Sequence, residues 1–307
     1  MKPSLKALTK LSRNCLLLLT LANTALAAEG QDGKFFLSSM SALRINPIGV
    51  FETLQIGYQK PLTLGSSESP LFKDTYVKLA FAPSLSPAFG RWGALAEVMP
   101  LSILRLSVLG EYVTHFGTFG TLQSFQNPSA DFSDTQLKAL RNSSDTAQLN
   151  YATTGTAVTF GALLQGKTGE IVARSNYRAI HQDTRLTRPG DTVYYDILND
   201  ILAPQKGWIH LLDTDVLRQD GDWTYGVRHS LVATSYNGMA APENTPTHRV
   251  GALISRKLAL SEDSKLSSQS AFLLVQWWVK HRFRTGADTS AALPLIALGY
   301  SFAMDLR

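Results

Sequence analysis

Apolar and polar side chains alternate over long stretches of this chain. In 104–116 one parity reads Leu104, Leu106, Val108, Gly110, Tyr112, Thr114 and Phe116, and the other reads Arg105, Ser107, Leu109, Glu111, Val113 and His115. Successive side chains of a strand point to opposite faces, so such a segment gathers its charges on one face. In 271–283, Ala271, Leu273, Val275, Trp277 and Val279 alternate with Phe272, Leu274, Gln276, Trp278, Lys280 and Arg282. Segments 223–233 and 296–306 repeat the pattern. Weaker alternation runs through 76–82, 91–98 and 171–177. Together these predict about twelve strands, over 33–43, 48–60, 74–84, 89–98, 102–116, 150–165, 169–180, 207–219, 222–235, 247–260, 269–283 and 292–306. The first two ranges can also be read as one strand and a flanking segment, which leaves ten or eleven.

The connections between these strands alternate in length. One set is short or polar (99–101, 166–168, 219–221, 261–268). The other holds the long segments 117–149, 181–206, 236–246 and 284–291. Outer-membrane barrels place short turns at one end and longer loops at the other. Two connections break the rule: 61–73 is long on the turn side, and 85–88 is short on the loop side. Within the loops two helices are expected. SDTQLKALR at 133–141 opens on a capping residue followed by helix formers. In 191–203 the apolar residues Tyr194, Ile197, Leu198, Ile201 and Leu202 recur at helical spacing. Either segment can decorate the surface or fold inward as a constriction.

The N-terminus changes the charge reckoning. Lys2, Lys6, Lys10 and Arg13 precede the apolar run CLLLLTL, and Ala25-Leu26-Ala27 is a small-x-small cleavage signal, so 1–27 read as a secretory signal peptide. The run is shorter than the ~20 residues a spanning helix needs. Cys15 opens the run instead of closing it, which argues against a lipid anchor. The whole chain carries +5, but the leader holds four of its 29 basic residues and no acidic one. The remainder is close to neutral, and nothing points to nucleic acid. Cys15 is the only cysteine, so disulfide frameworks and multi-cysteine metal sites are excluded. Charged residues make up 17% of the chain against about 25% in soluble domains. An exported, sparsely charged chain without a second apolar span is either a soluble β domain or a transmembrane barrel. The one-sided charges favour the barrel, with 28–307 as one unit and long external loops at 117–149 and 181–206.

The C-terminus carries a resemblance. Gly299-Tyr300-Ser301-Phe302-Ala303-Met304 resembles the alternating small and large pattern of the last strand of bacterial outer-membrane β-barrel proteins, although Asp305-Leu306-Arg307 replaces a terminal aromatic. WWVKHRFRTG at 277–286 is similar to segments of some outer-membrane proteins known only from sequence. The resemblance implies an all-β, antiparallel transmembrane barrel in the cell outer membrane. It also implies contact with outer-membrane lipid, and recognition of the last strand by the barrel-assembly machinery. It carries no activity. Tyr112, Phe116, Trp208, Trp223, Tyr225, Trp277, Tyr300 and Phe302 fall near strand ends or on outward parities, as interfacial aromatics do.

Candidate chemistry lies on the inward parity. Lys78, Arg91, Glu97, Arg105, Glu111, Arg174, Arg228, Lys280 and Arg282 are expected to face the lumen, with Glu97 and Glu111 as natural partners for Arg91 and Arg105. They either line a water-filled path that favours small anionic solutes or pair across the lumen and plug it. No catalytic residue, metal or cofactor is assigned. GALLQGKT at 161–168 matches the phosphate-loop expression, but a strand follows it where a helix is required. In VRHSLVATSYNG at 227–238, His229 and Ser230 point to opposite faces and cannot form a dyad, and Ser235 lies far along the strand. The six histidines show no i,i+2 or i,i+4 spacing. A narrow solute channel is the leading expectation. A plugged structural or surface-attachment barrel and a lipid acyl hydrolase are the alternatives, and an enzyme is the less favoured class.

Overall fold

The computed structural model describes residues 33–62, 69–144, 149–240, 243–244 and 246–306; the expected leader at 1–27 lies outside them. The strands are β1 (Lys34–Ile45), β2 (Gly49–Pro61), β3 (Tyr76–Phe81), β4 (Ser84–Leu85), β5 (Phe89–Leu101), β6 (Leu104–His115), β7 (Ser124–Phe125), β8 (Thr153–Thr168), β9 (Ile171–Thr184), β10 (Val193–Asp196), β11 (Ile201–Pro204), β12 (Lys206–Asp220), β13 (Trp223–Ser235), β14 (Thr247–Lys257), β15 (Leu266–Lys280) and β16 (Leu295–Leu306). Among the described residues one α-helix, α1, spans Asp134–Asn142.

Every wall pairing is antiparallel; each wall strand pairs with the next wall strand along the chain, and the pairing of β1 with β16 as well as β2 closes the sheet. β3 and β4 are one wall position interrupted at Ala82 and Pro83. The wall therefore has the expected twelve positions, β1 and β2 among them as separate strands. Proline has no N–H for the ladder, yet the break stays in register because Leu54 N donates to Pro83 O and Ala82 N to Gly93 O. Closure removes the exposed sheet edges that an open antiparallel sheet would carry.

Two hairpins at the turn end, 169–170 and 221–222, are two-residue loops. Gly169 and Gly221 there hold a left-handed φ of 56° that a side chain resists. β8 runs on through Thr168, so the phosphate-loop match at 161–168 lies wholly in a wall strand. The long exceptional connection, 62–75, is at the turn end, and the short one, 86–88, is at the loop end.

Exposure follows the parity. In β16, Leu298 (57%) and Tyr300 (38%) face out, while Ala297 and Gly299 face in and are buried. Tyr112, Trp223, Tyr225 and Trp277 also face out and are exposed. Outward apolar positions stay exposed because no second layer covers them.

The core sits inside the barrel, at the loop end. β7, β10 and β11 form a three-stranded sheet of their own. Tyr194, Ile201 and Ala203 of this sheet pack against Ile209, Leu211 and Val232 of the inner wall. Val193, Tyr195 and Leu202 pack with Phe132 and Leu137, the latter on α1. α1 forms as expected, capped by Ser133, whose Oγ accepts from Gln136 N.

The helix expected over 191–203 is not formed; that segment is the β10–β11 hairpin. Its strands are buried on both faces, so the alternation that marks a half-exposed strand is missing and the apolar run imitates a helix. Asp196 ties its turn: Oδ1 accepts from Leu198 N (2.9 Å) and Oδ2 from Asn199 Nδ2 (2.6 Å), and Asp200 takes a left-handed φ of 55°.

Candidate functional site: the lumen and its plug

The inward charges form separate ion pairs on the wall. Lys78 Nζ reaches Glu97 at 2.7 Å, and Arg105 approaches the same carboxylate at 3.7 Å. Arg91 binds Glu111 through two hydrogen bonds of 2.9 and 2.8 Å. Arg174 and Arg228 share Asp215, the latter at 2.7 Å. Arg178 binds Asp213 at 3.0 Å, and Ser230 Oγ donates to that carboxylate at 2.6 Å.

Two of the expected lumen residues are placed elsewhere. A register shift between His248 and Arg249 sets Lys280 opposite His248 and Trp278 opposite Arg249. His248 is on the outward parity, so Lys280 lies with it at the exposed outer end of β15. A bulge adds one residue to one strand and so reverses the alternation beyond it. Arg282 lies past the end of β15, where its Nη1 donates to Ser129 O (2.8 Å), Ala130 O (3.1 Å) and Asn244 Oδ1 (3.3 Å). It fastens loops together and does not line the strand wall.

The set 227–238 is likewise divided. His229 faces out and pairs with His248 (Nε2 to Nδ1, 3.1 Å), while Ser230 faces in, toward Asp213 and Gln276.

Sequence reasoning missed the residues that hold the plug. Arg44, inward on β1, donates to Leu198 O (2.6 Å) and Ile197 O (2.5 Å) in the hairpin turn. The hairpin's base packs on β12 and β13, so it crosses the lumen to the opposite wall. Arg284, 2% exposed, joins four segments. Its Nε and Nη2 bind Asp200 of the hairpin at 2.8 and 3.2 Å. It also forms a two-point pair with Asp134 of α1, at 2.5 and 2.8 Å, and donates to Asn46 Oδ1 beside β1 at 3.1 Å. Tyr195 Oη adds a 2.7 Å hydrogen bond to Asp200. No periodic pattern marks Arg44 or Arg284, since their partners are backbone carbonyls and loop carboxylates.

The plug interior is buried. Burial pushes the Tyr194 hydroxyl up to about 12, and burial with the Asp200 charge pushes Tyr195 well above the ordinary tyrosine value. Burial alone would raise the Asp200 carboxyl, but the Arg284 charge and the bonds from Arg284 and Tyr195 outweigh it and hold the carboxyl low. Burial lowers the pKa of His281, with Asp200 opposing. His281 Nδ1 accepts from Phe283 N and Arg284 N at 3.1 Å each, and Nε2 donates to Asp200 O at 2.8 Å. Those bonds require the neutral ring, so Arg284 is the cation that keeps Asp200 ionised.

Between hairpin and wall lies a cavity of about 30 Å³, lined by Arg91, His115, Gln182, Tyr194 and Asn199 among others. That is room for one or two waters and for no solute. Toward the turn end the lumen is wet: the inward side chains of Arg105 and Arg174 are each 37% exposed.

The architecture is thus a closed twelve-stranded antiparallel barrel, stoppered from within at its loop end. Several solved structures are similar to it. They include the KdgM porin (9% identity, 87% of this chain and 98% of that one, TM-score 0.38). Two others are from Acinetobacter baumannii: the outer membrane protein Omp33 (12%, 91% and 100%, 0.37) and OccAB1 (7%, 89% and 96%, 0.37). At these identities and scores the likeness adds nothing to what the strand order already establishes. No protein-family model and no curated protein matches the chain.

Proposed function

We propose that the protein is an outer-membrane barrel that works as a narrow channel for small solutes, held shut in this conformation by the β10–β11 hairpin. The membrane reading is supported by the exterior. Leu43, Leu164, Val216, Val227 and Leu298 are outward and all more than half exposed, which suits lipid and not water. Leu298→Arg is expected to block assembly, because a guanidinium among lipid tails costs about 2–4 kcal/mol near the midplane. Ser301→Arg, on the inward parity, is expected to assemble. The heat-modifiable fraction on a gel reads both, and equal assembly would refute the lipid-facing assignment.

The channel reading rests on one observation: the stopper is a separate sheet, packed on the wall at its base and tied at its turn by Arg44 and Arg284, above a solvent-exposed vestibule. A solid structural plug has no need of hydrated arginines beneath it. Excision of 193–204 with a short glycine linker is expected to leave the wall intact, since none of these residues belongs to it. Steady conductance in planar bilayers is then expected where the unaltered protein conducts little. A correctly assembled, non-conducting deletion variant would leave the structural or attachment barrel as the better reading.

A further inference from the structure

The inward charges are not balanced uniformly. On the wall, Lys78, Arg91, Arg105, Arg174, Arg178 and Arg228 all contact a carboxylate. At the plug, Arg44 and Arg282 spend their donors on backbone carbonyls and an amide, which carry no charge to answer theirs. Arg249 has less still. It sits inward on β14, between Ser230 and Trp278 of the flanking strands. Its guanidinium lies 4.7 Å from the centre of the Trp278 ring and has no hydrogen bond or ion pair among the described residues. The carboxylates in its surroundings are committed: Asp213 to Arg178 and Ser230, Asp200 to Arg284 and Tyr195.

Two further donors nearby lack acceptors, Arg44 Nε and Trp278 Nε1, on side chains 7% and 5% exposed. Trp278 packs on Ala297, whose partner across the ladder is Arg44, so the three residues share one inner surface. Among the described residues this surface holds positive charge and two unpartnered donors, and no carboxylate pairs with Arg249 or Arg44. Arg249 keeps part of its surface exposed on the inner face of β14. Leu274, Leu295 and Ala297 pack in one cluster with the indole.

We propose that Arg249, with Trp278 against its face and Arg44 adding charge, forms a lumenal binding site for a small organic carboxylate. A guanidinium fork matches the two oxygens of a carboxylate and bonds charged acceptors about twice as strongly as neutral ones. Phosphate shares the charge, but the partly exposed Leu274, packed beside the indole on the same inner face, favours a ligand with a carbon chain. The site deepens the channel reading by naming a solute class, yet binding can be measured without transport.

Trp278 supplies the readout. Of the five tryptophans, Trp92, Trp208, Trp223 and Trp277 lie on outward parities. The purified, heat-modifiable protein in detergent is titrated with butyrate, acetate, inorganic phosphate and glycerol at constant ionic strength, and tryptophan emission is followed. Butyrate is expected to bind tighter than acetate, phosphate more weakly than both, and glycerol not at all. Arg249→Gln is expected to weaken butyrate about tenfold or more, and Arg249→Lys less. Trp278→Phe removes the signal, and the outward Arg256→Gln changes nothing. Binding unaltered in Arg249→Gln, or phosphate equal to butyrate, would overturn the proposal. Butyrate binding together with a non-conducting hairpin deletion would strike the channel reading and leave this site standing.

Discussion

Arg284→Leu is expected to release the hairpin without disturbing the barrel. The substitution leaves Asp200, 1% exposed, with the Tyr195 hydroxyl and no cation, and it unties α1 at Asp134. Removing one member of a buried pair costs about 3–5 kcal/mol, since the other charge stays buried and unanswered. At 1.4 kcal/mol per factor of ten, the released population rises by at least about a hundredfold. The wall ladders of β15 and β16 do not involve Arg284, so heat-modifiable migration should persist. Channel openings, and protease cleavage within 185–205, should become frequent. A second change separates charge from packing. Asp200→Asn in the Arg284→Leu background removes the orphaned carboxylate, and asparagine tolerates the left-handed φ at this position. It is expected to restore much of the closure. If Arg284→Leu conducts and resists protease like the parent, the plug is held by its apolar contacts alone.

How much of this was legible in the sequence depends on whether burial is one-sided. β6 and β16 each have one face on the lumen and one outside, so period-two alternation had to be present, and it located them to within a few residues. The hairpin is buried on both faces, so Tyr194, Ile201 and Leu202 carried no parity, and their spacing passed for a helix. Lys280 was misassigned because a bulge cannot be seen from one strand. Cross-strand neighbours were also hidden. His181, His210, His229 and His248 lie on the outward faces of β9, β12, β13 and β14. His229 touches His248, and His210 Nδ1 lies 2.7 Å from the Tyr177 hydroxyl. Their separations in sequence are hairpin lengths, not the i,i+2 spacing of a single strand. Asp213 and Asp215 were within reach of parity reasoning, since they share a face with Leu211 and Leu217. They complete the pairs of Arg178, Arg174 and Arg228.

Acidification is expected to open the wild-type barrel, beginning near the ordinary histidine value of 6.5. In the latched state His281 is neutral and buried, with its pKa lowered first by burial and only partly recovered by Asp200. Once the hairpin is released the ring is hydrated and titrates near that ordinary value. The released state therefore binds more protons at His281 than the latched one. A state that binds fewer protons loses ground as pH falls, so the latch is fully stable above 6.5 and weakens below it until the pH passes the lowered latched value. Asp200 acts in the same direction but later. Its latched pKa lies below the ordinary 3.8, so its contribution holds above that value and fails only in stronger acid. Open probability in bilayers should accordingly be low and flat from pH 8 to 7, rise as the pH falls below about 6.5, and rise again only in strong acid. His281→Gln should abolish the first rise and leave the second, because glutamine does not titrate and the Arg284–Asp200 pair remains. A flat profile through the first window in the wild type would place the control of closure elsewhere. So would a first rise that survives His281→Gln.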